Sequence, residues 1–263
     1  DLAQLHVDDK YDPARMFYFR RVLLPALRRM TRLVAVSEAT KRDLETVIPS
    51  SGPPITVIPN GVDYERFERK EDGREGIARK ATGLTGNFLL YASRLEHPGK
   101  NHLRLVRAFA RSQARHDHIL ALAGKDWGAE GMLREEAERL QVADRIKFLG
   151  FVPDEILPGL VAAASAVIMV GLHEGFGLPA LEALAAGRPV CASTTGALPE
   201  VVGPHAVLCD PFDEASIEKA LDQILGNDAL REKIMRAGPI WAKERSWDRT
   251  AEGLLRECQA AVP

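Results

Sequence analysis

A chain of 263 residues with 46% hydrophobic residues has enough apolar side chains to fill a sizeable core, which excludes a disordered protein. Its 35 basic and 37 acidic residues nearly cancel, so nothing at whole-chain level marks a nucleic-acid binder, and no apolar run approaches the roughly 20 residues that cross a bilayer. Three cysteines, Cys191, Cys209 and Cys258, stand far apart without a Cys-x-x-Cys or Cys/His cluster of metal-ligand spacing, and this fits a reduced, cytoplasmic setting.

The sequence opens at Asp1 and reads as the interior of a longer polypeptide. Residues 16–30 have a helical pattern. From Arg15 to Arg32 there are six arginines (Arg15, Arg20, Arg21, Arg28, Arg29 and Arg32) and no acid, interleaved with Met16, Phe17, Tyr18, Phe19 and several leucines. Two readings stay open for this stretch: a basic amphipathic helix lying on anionic lipid, or a solvated helix that packs its apolar face on a sheet. Residues 32–36 follow as a strand, and Ser37 is the expected N-cap of a helix over 38–47. The linker 49–54, Pro-Ser-Ser-Gly-Pro-Pro, is the sharpest break in composition and sets a boundary. Residues 1–48 supply too few elements for a domain and are expected to be the tail of one. The strand 55–58 then runs into Pro59-Asn60-Gly61-Val62-Asp63, where Asn-Gly supplies a turn and Asp63 is placed to cap a short helix.

From Phe88 onward short apolar runs alternate with longer amphipathic stretches, the pattern of a doubly wound parallel sheet. The expected strands are 88–92, 118–123, 145–149, 166–170 and 189–192; the expected helices between them are 101–113, 129–140, 153–163 and 178–186. Three further amphipathic helices, 216–225, 228–237 and 247–261, need a surface to pack on. The predicted class is α/β, Rossmann-like, with C-terminal helices.

Ligands of an open parallel sheet bind outside the carboxyl ends of its strands, where loops meet the free amide ends of the following helices. Those exits read Ser93-Arg94 with Gly99-Lys100, Gly124-Lys125, Gly150-Phe151, Gly171 with His173-Glu174, and Ser193-Thr194-Thr195-Gly196. Polarity alone would be expected of any loop. In the fourth exit, however, Glu174 precedes Gly175-Phe176-Gly177, a backbone able to approach a ligand closely, and Pro179 suits the first turn of a helix. Glu182 lies about one turn, roughly 5–6 Å, further along, so the two carboxylates can touch different parts of one extended ligand. Singly, each acid is equally an ordinary helix-start or helix-surface residue. Arg94 and Lys100 flank His97-Pro98-Gly99, two cations on a shaped loop that suit a diphosphate. Gly175-x-Gly177-x-x-Ala180 also matches the dinucleotide fingerprint, but that motif belongs to a first βα turn and expects an acid about 20 residues on, where this chain has Ser193-Thr194-Thr195. Neither GxxxxGK[ST] nor GxSxG occurs.

These residues resemble the retaining GT-B glycosyltransferases of family 4. The Glu-x7-Glu motif is complete in Glu174-Gly-Phe-Gly-Leu-Pro-Ala-Leu-Glu182, followed by Ala183-Leu-Ala-Ala-Gly187-Arg-Pro-Val190. Val36-Ser37-Glu38, residues 58–63, Ser93-Arg94-Leu95 with Lys100-Asn101, Phe148-Leu149-Gly150 and Gly196-Ala197-Leu198-Pro199-Glu200 are similar too, and in the family's order. The resemblance implies a GT-B fold in which residues 1–48 are a remnant of the N-terminal, acceptor domain, 49–54 the linker, 55–240 the nucleotide-sugar-binding domain and 241–263 a helix packing back towards the N-terminal domain. It implies that Arg94 and Lys100 clamp a donor diphosphate, that Glu174 with Gly175, Phe176 and Gly177 holds the donor sugar, and that Leu178 N–H assists a phosphate. Glu182 would bind the ribose hydroxyls, Phe151 or Val152 would lie at the base, and Gly124 and His173 would complete the donor site. The implied reaction is retaining hexosyl transfer without metal or cofactor, from a nucleotide-diphosphate sugar, GDP-mannose favoured, to a saccharide or lipid-linked acceptor in cell-envelope or exopolysaccharide synthesis. The implied place is the cytoplasm, with peripheral membrane contact through Arg15 to Arg32. The family's N-terminal domain contributes a histidine near the donor sugar, and Asp1-Leu2 resembles the sequence just after it. The alternative is therefore a catalytically incomplete nucleotide-sugar-binding subunit beside a separate chain, and the remote alternative an NAD-dependent dehydrogenase.

Overall fold

The computed structural model describes residues 2–8, 10 and 12–261. Asp1, set by the resemblance beside a histidine, lies outside them. A 3₁₀ turn at Ala3–Leu5 is followed by one helical stretch: α1 (Pro13–Tyr18), a π-type segment at Phe19–Leu23, and α2 (Leu24–Leu27). The helix expected over 16–30 thus starts earlier, because Asp12 accepts from the Arg15 N–H at 2.9 Å and Pro13 suits the first turn. The π-type segment lies directly before Pro25, which has no N–H for the carbonyl four residues back.

The strands β1 (Leu33–Ala35) and β2 (Ile55–Val57) pair in parallel, and α3 (Glu38–Val47) connects them. Ser37 caps α3 as its sequence requires, Oγ accepting from the Thr40 N–H at 2.9 Å. This unit buries its own apolar cluster of Leu2, Phe19, Leu33, Ala35, Leu44 and Ile48. Next come α4 (Tyr64–Phe67), capped by Asp63, and α5 (Arg74–Thr82). Sequence periodicity missed α5, whose apolar residues are only Ile77, Ala78 and Ala81; Ala78 is the buried one.

The main sheet follows: β3 (Asn87–Ala92), α6 (His102–Arg111), β4 (His118–Ala123), α7 (Glu130–Arg139), β5 (Ile146–Gly150), α8 (Leu157–Ala163), β6 (Ala166–Met169), α9 (Leu178–Ala185), β7 (Val190–Ser193), α10 (Leu198–Val202) and β8 (Val207–Cys209). All pairings are parallel, in the order β5-β4-β3-β6-β7-β8. Phe88, Leu89, Leu90 and Tyr91 are fully buried because helices cover both faces, which is why β3 reads as a continuous apolar run. The edge strand β8 was not expected: three residues are too few to carry a period, and pairing with β7 defines it. The helix expected over 153–163 begins only at Leu157, with Pro158 in its first turn.

The sheet is closed by α11 (Glu214–Gly226), α12 (Asp228–Lys243) and α13 (Trp247–Ala261). Beyond the expected end at 237, α12 continues through Pro239. There Gly238 is buried, and a Cβ on it would lie 3.1 Å from Leu184, so packing on α9 offsets the proline. The last helix returns to the β1–β2 unit: Thr250 Oγ1 donates to Pro59 O at 2.7 Å, and Arg32 Nε donates to Glu257 at 2.6 Å.

Candidate functional site

The strand order reverses between β3 and β6, where successive connections leave in opposite directions and open a crevice at the strand ends. The two loops that border it are 93–101 and 170–177. They carry Lys100 and Glu174, and across the crevice Lys100 Nζ donates to both oxygens of Glu174, at 2.8 and 2.9 Å. Both side chains are largely removed from solvent, 18% and 10% exposed, so each charge needs the other. The sequence assigned these residues to different parts of one ligand; without a ligand they neutralise one another.

Buried groups lock this pair in place. Tyr91 donates its hydroxyl to Lys100 O at 2.7 Å, and Asn101 donates to Val170 O at 2.9 Å and Pro211 O at 2.7 Å, joining three strand exits. Leu172 N–H donates to Gly99 O at 2.9 Å. His102 stacks on Tyr91, and burial takes its imidazole down to about 3, so it remains neutral. Ala197 N–H donates to Glu174 O at 2.8 Å, and a Cβ on Gly196 (φ +62°) would lie 2.5 Å from that same carbonyl, so only glycine allows the approach.

Around the pair lies a cleft of about 370 Å³ lined by Asn60, Ser93, Arg94, Lys100, Glu174, Phe176, Gly177, Leu178 and Pro179, with Ala92 and Met169 beneath. Six of the expected residues therefore meet: Arg94, Lys100, Glu174, Phe176, Gly177 and Leu178. The α9 N-terminus opens on the cleft, where its free N–H groups suit an anion. Arg94 is fixed from two sides, its Nε donating to Glu96 and its guanidinium lying 4.8 Å from the Trp127 ring centre. Sequence reasoning gave Glu96 and Trp127 no role; only the Arg94-x-Glu96 spacing within one loop hints at the first.

The remaining expected residues sit around this centre rather than in its lining. Gly124 (φ +157°) is an abutment: a Cβ there would lie 2.0 Å from Ser93 O, so the second strand exit can press on the first only as glycine. Gly175 is engaged from α3, with Ser37 Oγ donating to its carbonyl at 2.7 Å. Phe151 is 74% exposed, and Val152 packs on the core edge. Glu182 is half-buried on α9, and burial, opposed by Arg66 and aided by Asp154, raises its carboxyl to about 7.

His173 turns out of the cleft. Its Nε2 is 2.9 Å from Asp43 Oδ2 on α3, its ring stacks on His6 at 4.1 Å, and His6 Nε2 is 2.6 Å from Asp43 Oδ1. Among the described residues, His6, Asp43 and His173 are the group whose ligand atoms converge closely enough, within 4.8 Å, to hold a metal ion. The two rings are nearly parallel, 8° apart, and their nitrogens address separate oxygens of one carboxylate rather than one point. Beside them, Glu200 on α10 accepts from the Glu38 and Ala39 N–H groups, both at 3.0 Å, and Ser37 and Thr40 donate to Gly175 O, so the start of α3 is seated on α10 and on the Glu174 loop.

The family model described as "Glycosyl transferases group 1" matches residues 74–241, and that described as "Glycosyltransferase Family 4" matches residues 3–66. The chain is 37% identical over 242 residues to the O-antigen chain mannosyltransferase B of Escherichia coli, which covers 91% of this chain and 63% of that protein. It is 32% identical over 221 residues to the MMP alpha-(1->4)-mannosyltransferase of Mycolicibacterium hassiacum, covering 83% of this chain and 50% of that protein. Among solved structures, Anabaena HepE in complex with UDP and glucose superposes with a TM-score of 0.81 at 23% identity, over 91% of this chain and 66% of that one. The chain thus spans half to two thirds of the length of these relatives.

Proposed function

Because the chain belongs to the group 1 glycosyl transferases of the GT-B, family 4 type, we propose that its switch-point cleft binds a nucleotide-diphosphate sugar and serves retaining hexosyl transfer. The observation that carries this reading is the Lys100–Glu174 pair, with Arg94 and the α9 N-terminus on the same cleft. A donor entering there separates the pair. Its diphosphate takes Lys100, Arg94 and the free N–H groups near Leu178, and its sugar hydroxyls take the released Glu174 carboxylate. As the bond from the anomeric carbon to the diphosphate oxygen breaks, the fixed cations stabilise the charge that grows on the leaving group. The acceptor hydroxyl forms the new bond from the same face and passes its proton to the departing phosphate oxygen. No second carboxylate nucleophile and no metal is required by this scheme.

In this reading Glu182 accepts from the ribose hydroxyls, and Phe151, Val152 and Gly124 border the nucleoside end. Residues 1–48 belong to an acceptor domain, 49–54 to the linker and 55–240 to the donor domain, with 241–263 returning to the first. Mannose is the favoured sugar, as GDP-mannose, because both relatives are named as mannosyltransferases. A saccharide or lipid-linked acceptor of the cell envelope or an exopolysaccharide fits the first of them. Among the described residues no helix is long and apolar enough to cross a membrane. Membrane contact at the cytoplasmic face is instead assigned to the arginine-rich stretch, where Phe17 and Tyr18 are exposed. Thermal melting with a panel of UDP-, GDP- and ADP-sugars tests the cleft, since a bound donor raises the melting temperature by mass action. Stabilisation by one donor supports the reading and names the donor; no response to any of them refutes it. Release of nucleoside diphosphate with and without added acceptor then separates transfer from binding alone.

A further inference from the structure

The segment Pro59-Asn60-Gly61 follows β2 and brings one polar side chain to the cleft: Asn60 lines it together with Ser93, Arg94, Lys100 and Glu174. The backbone on either side of Asn60 is fixed by the turn between α12 and α13. Thr250 Oγ1 donates to Pro59 O at 2.7 Å, and Val62 N–H donates to Arg245 O at 2.8 Å. The carboxamide itself is half-buried and makes no side-chain hydrogen bond among the described residues. Its polar neighbours in the lining are engaged: Lys100 with Glu174, Arg94 with Glu96, and Ser93 Oγ 3.3 Å from His102 Nε2. A side chain held at its backbone and open at its polar end is preorganised, so a ligand that meets it loses little affinity to ordering. The lining also decides which part of a ligand lies there. Arg94, Lys100 and the α9 N–H groups are donors and Glu174 is the one carboxylate, so the ligand portion among those donors is rich in acceptor oxygens. Asn60 can turn its N–H₂ end towards it. Asn60 also borders a second cavity of about 280 Å³ with Arg245, Arg249 and Thr250, which gives the same side chain one other place to act.

We infer, on the reading of the cleft as a donor site, that the Asn60 carboxamide is a neutral partner of the donor diphosphate, donating from Nδ2 to a phosphate oxygen beside Arg94 and Lys100. A neutral amide suits this place because it adds a hydrogen bond to a charged group without adding a cation that would compete for Glu96 or Glu174. Thr250 and Arg245 act on the ligand only through the backbone of residues 59–62 and are positioning residues. The turn between the last two helices, about 150 residues from the loop that carries Arg94, thereby takes part in setting the donor site.

Calorimetric titration of the full chain with UDP, GDP and ADP, and with the nucleoside matching whichever binds, tests this in the wild type, Asn60→Ala and Asn60→Asp. The expected result is a loss of about tenfold in diphosphate affinity for Asn60→Ala, the size of one hydrogen bond to a charged group, with nucleoside affinity unchanged. Asn60→Asp has nearly the shape of the wild type but is ionised at neutral pH, and it should lose more than Asn60→Ala because like charges then face each other. An Asn60→Ala chain that binds the diphosphate as the wild type does overturns the inference and leaves the side chain to the second cavity, with the cleft assignment standing. An equal loss for nucleoside and diphosphate overturns it too, as does an Asn60→Asp chain that binds the diphosphate as well as Asn60→Ala or better. A wild type that binds none of the three diphosphates overturns the underlying reading. Should either variant melt without ligand well below the wild type, Asn60→Ser decides alone, by the same comparison of diphosphate with nucleoside.

Discussion

Glu182→Gln is expected to stabilise the protein at high pH and, on the proposed function, to weaken donor binding. Burial raises the Glu182 carboxyl from 4.5 to about 7. Below about pH 4.5 the group is protonated in both the folded and the unfolded chain and costs nothing. Between 4.5 and 7 the unfolded chain ionises first, the folded state holds the extra proton, and stability falls as pH rises. Above 7 the folded state carries the full cost of a buried carboxylate, about 3 kcal/mol at most. Glutamine has no proton to lose, so the variant should match the wild type near pH 4.5 and exceed it by up to about 3 kcal/mol at pH 8. In a chain of this size that is a rise of roughly 6–12 °C in melting temperature. Urea or thermal denaturation of both proteins at pH 4.5 and pH 8, without ligand, reads the difference. A gap of equal size at the two pH values would refute the argument that burial sets the carboxyl. Loss of nucleotide-sugar affinity in the same variant would complete the case that the cost is retained for ligand binding.

Arg94→Ala should weaken nucleoside diphosphate binding about tenfold or more while leaving nucleoside binding unchanged, as read by calorimetry. Lys100→Met leaves Glu174 as a buried charge without its partner and should cost about 3 kcal/mol in urea denaturation, with Lys100→Met/Glu174→Gln recovering much of it. If the double variant is no more stable than the single one, the pair does not carry the interaction assigned to it. Co-sedimentation with vesicles should show binding to anionic but not to zwitterionic lipid, weakening as salt rises, and Arg20→Glu/Arg21→Glu should abolish it.

Much of the architecture was legible because it depends on short-range chemistry. Strands β3, β4, β6 and β7 are buried on both faces, so each appears as an apolar run, and the helices between the strands keep a three-to-four-residue period. Ser37 and Asp63 cap the helices their sequence positions require. The Glu174 to Glu182 segment could be read as a glycine-rich approach to a helix start from spacing alone. The strand β8 and helix α5 could not, since three residues and a nonapeptide with a single buried alanine take their conformation from what they pack against.

What only the tertiary structure decided is which side chains share a space. The sequence placed Lys100 and Glu174 in separate exits, 74 residues apart; the reversal of strand order between β3 and β6 brings them to 2.8 Å. It sent His173 to Asp43 and His6, although the adjacent Glu174 faces the cleft, because α3 from the first unit is seated on that loop. It also put Lys10 beside Glu96 and gave Glu182 a carboxyl raised by burial. Periodicity reports what each residue does with its neighbours along the chain. Charge pairing and desolvation depend instead on distance and exclusion of water, and these exist only once the sheet has set its strand order.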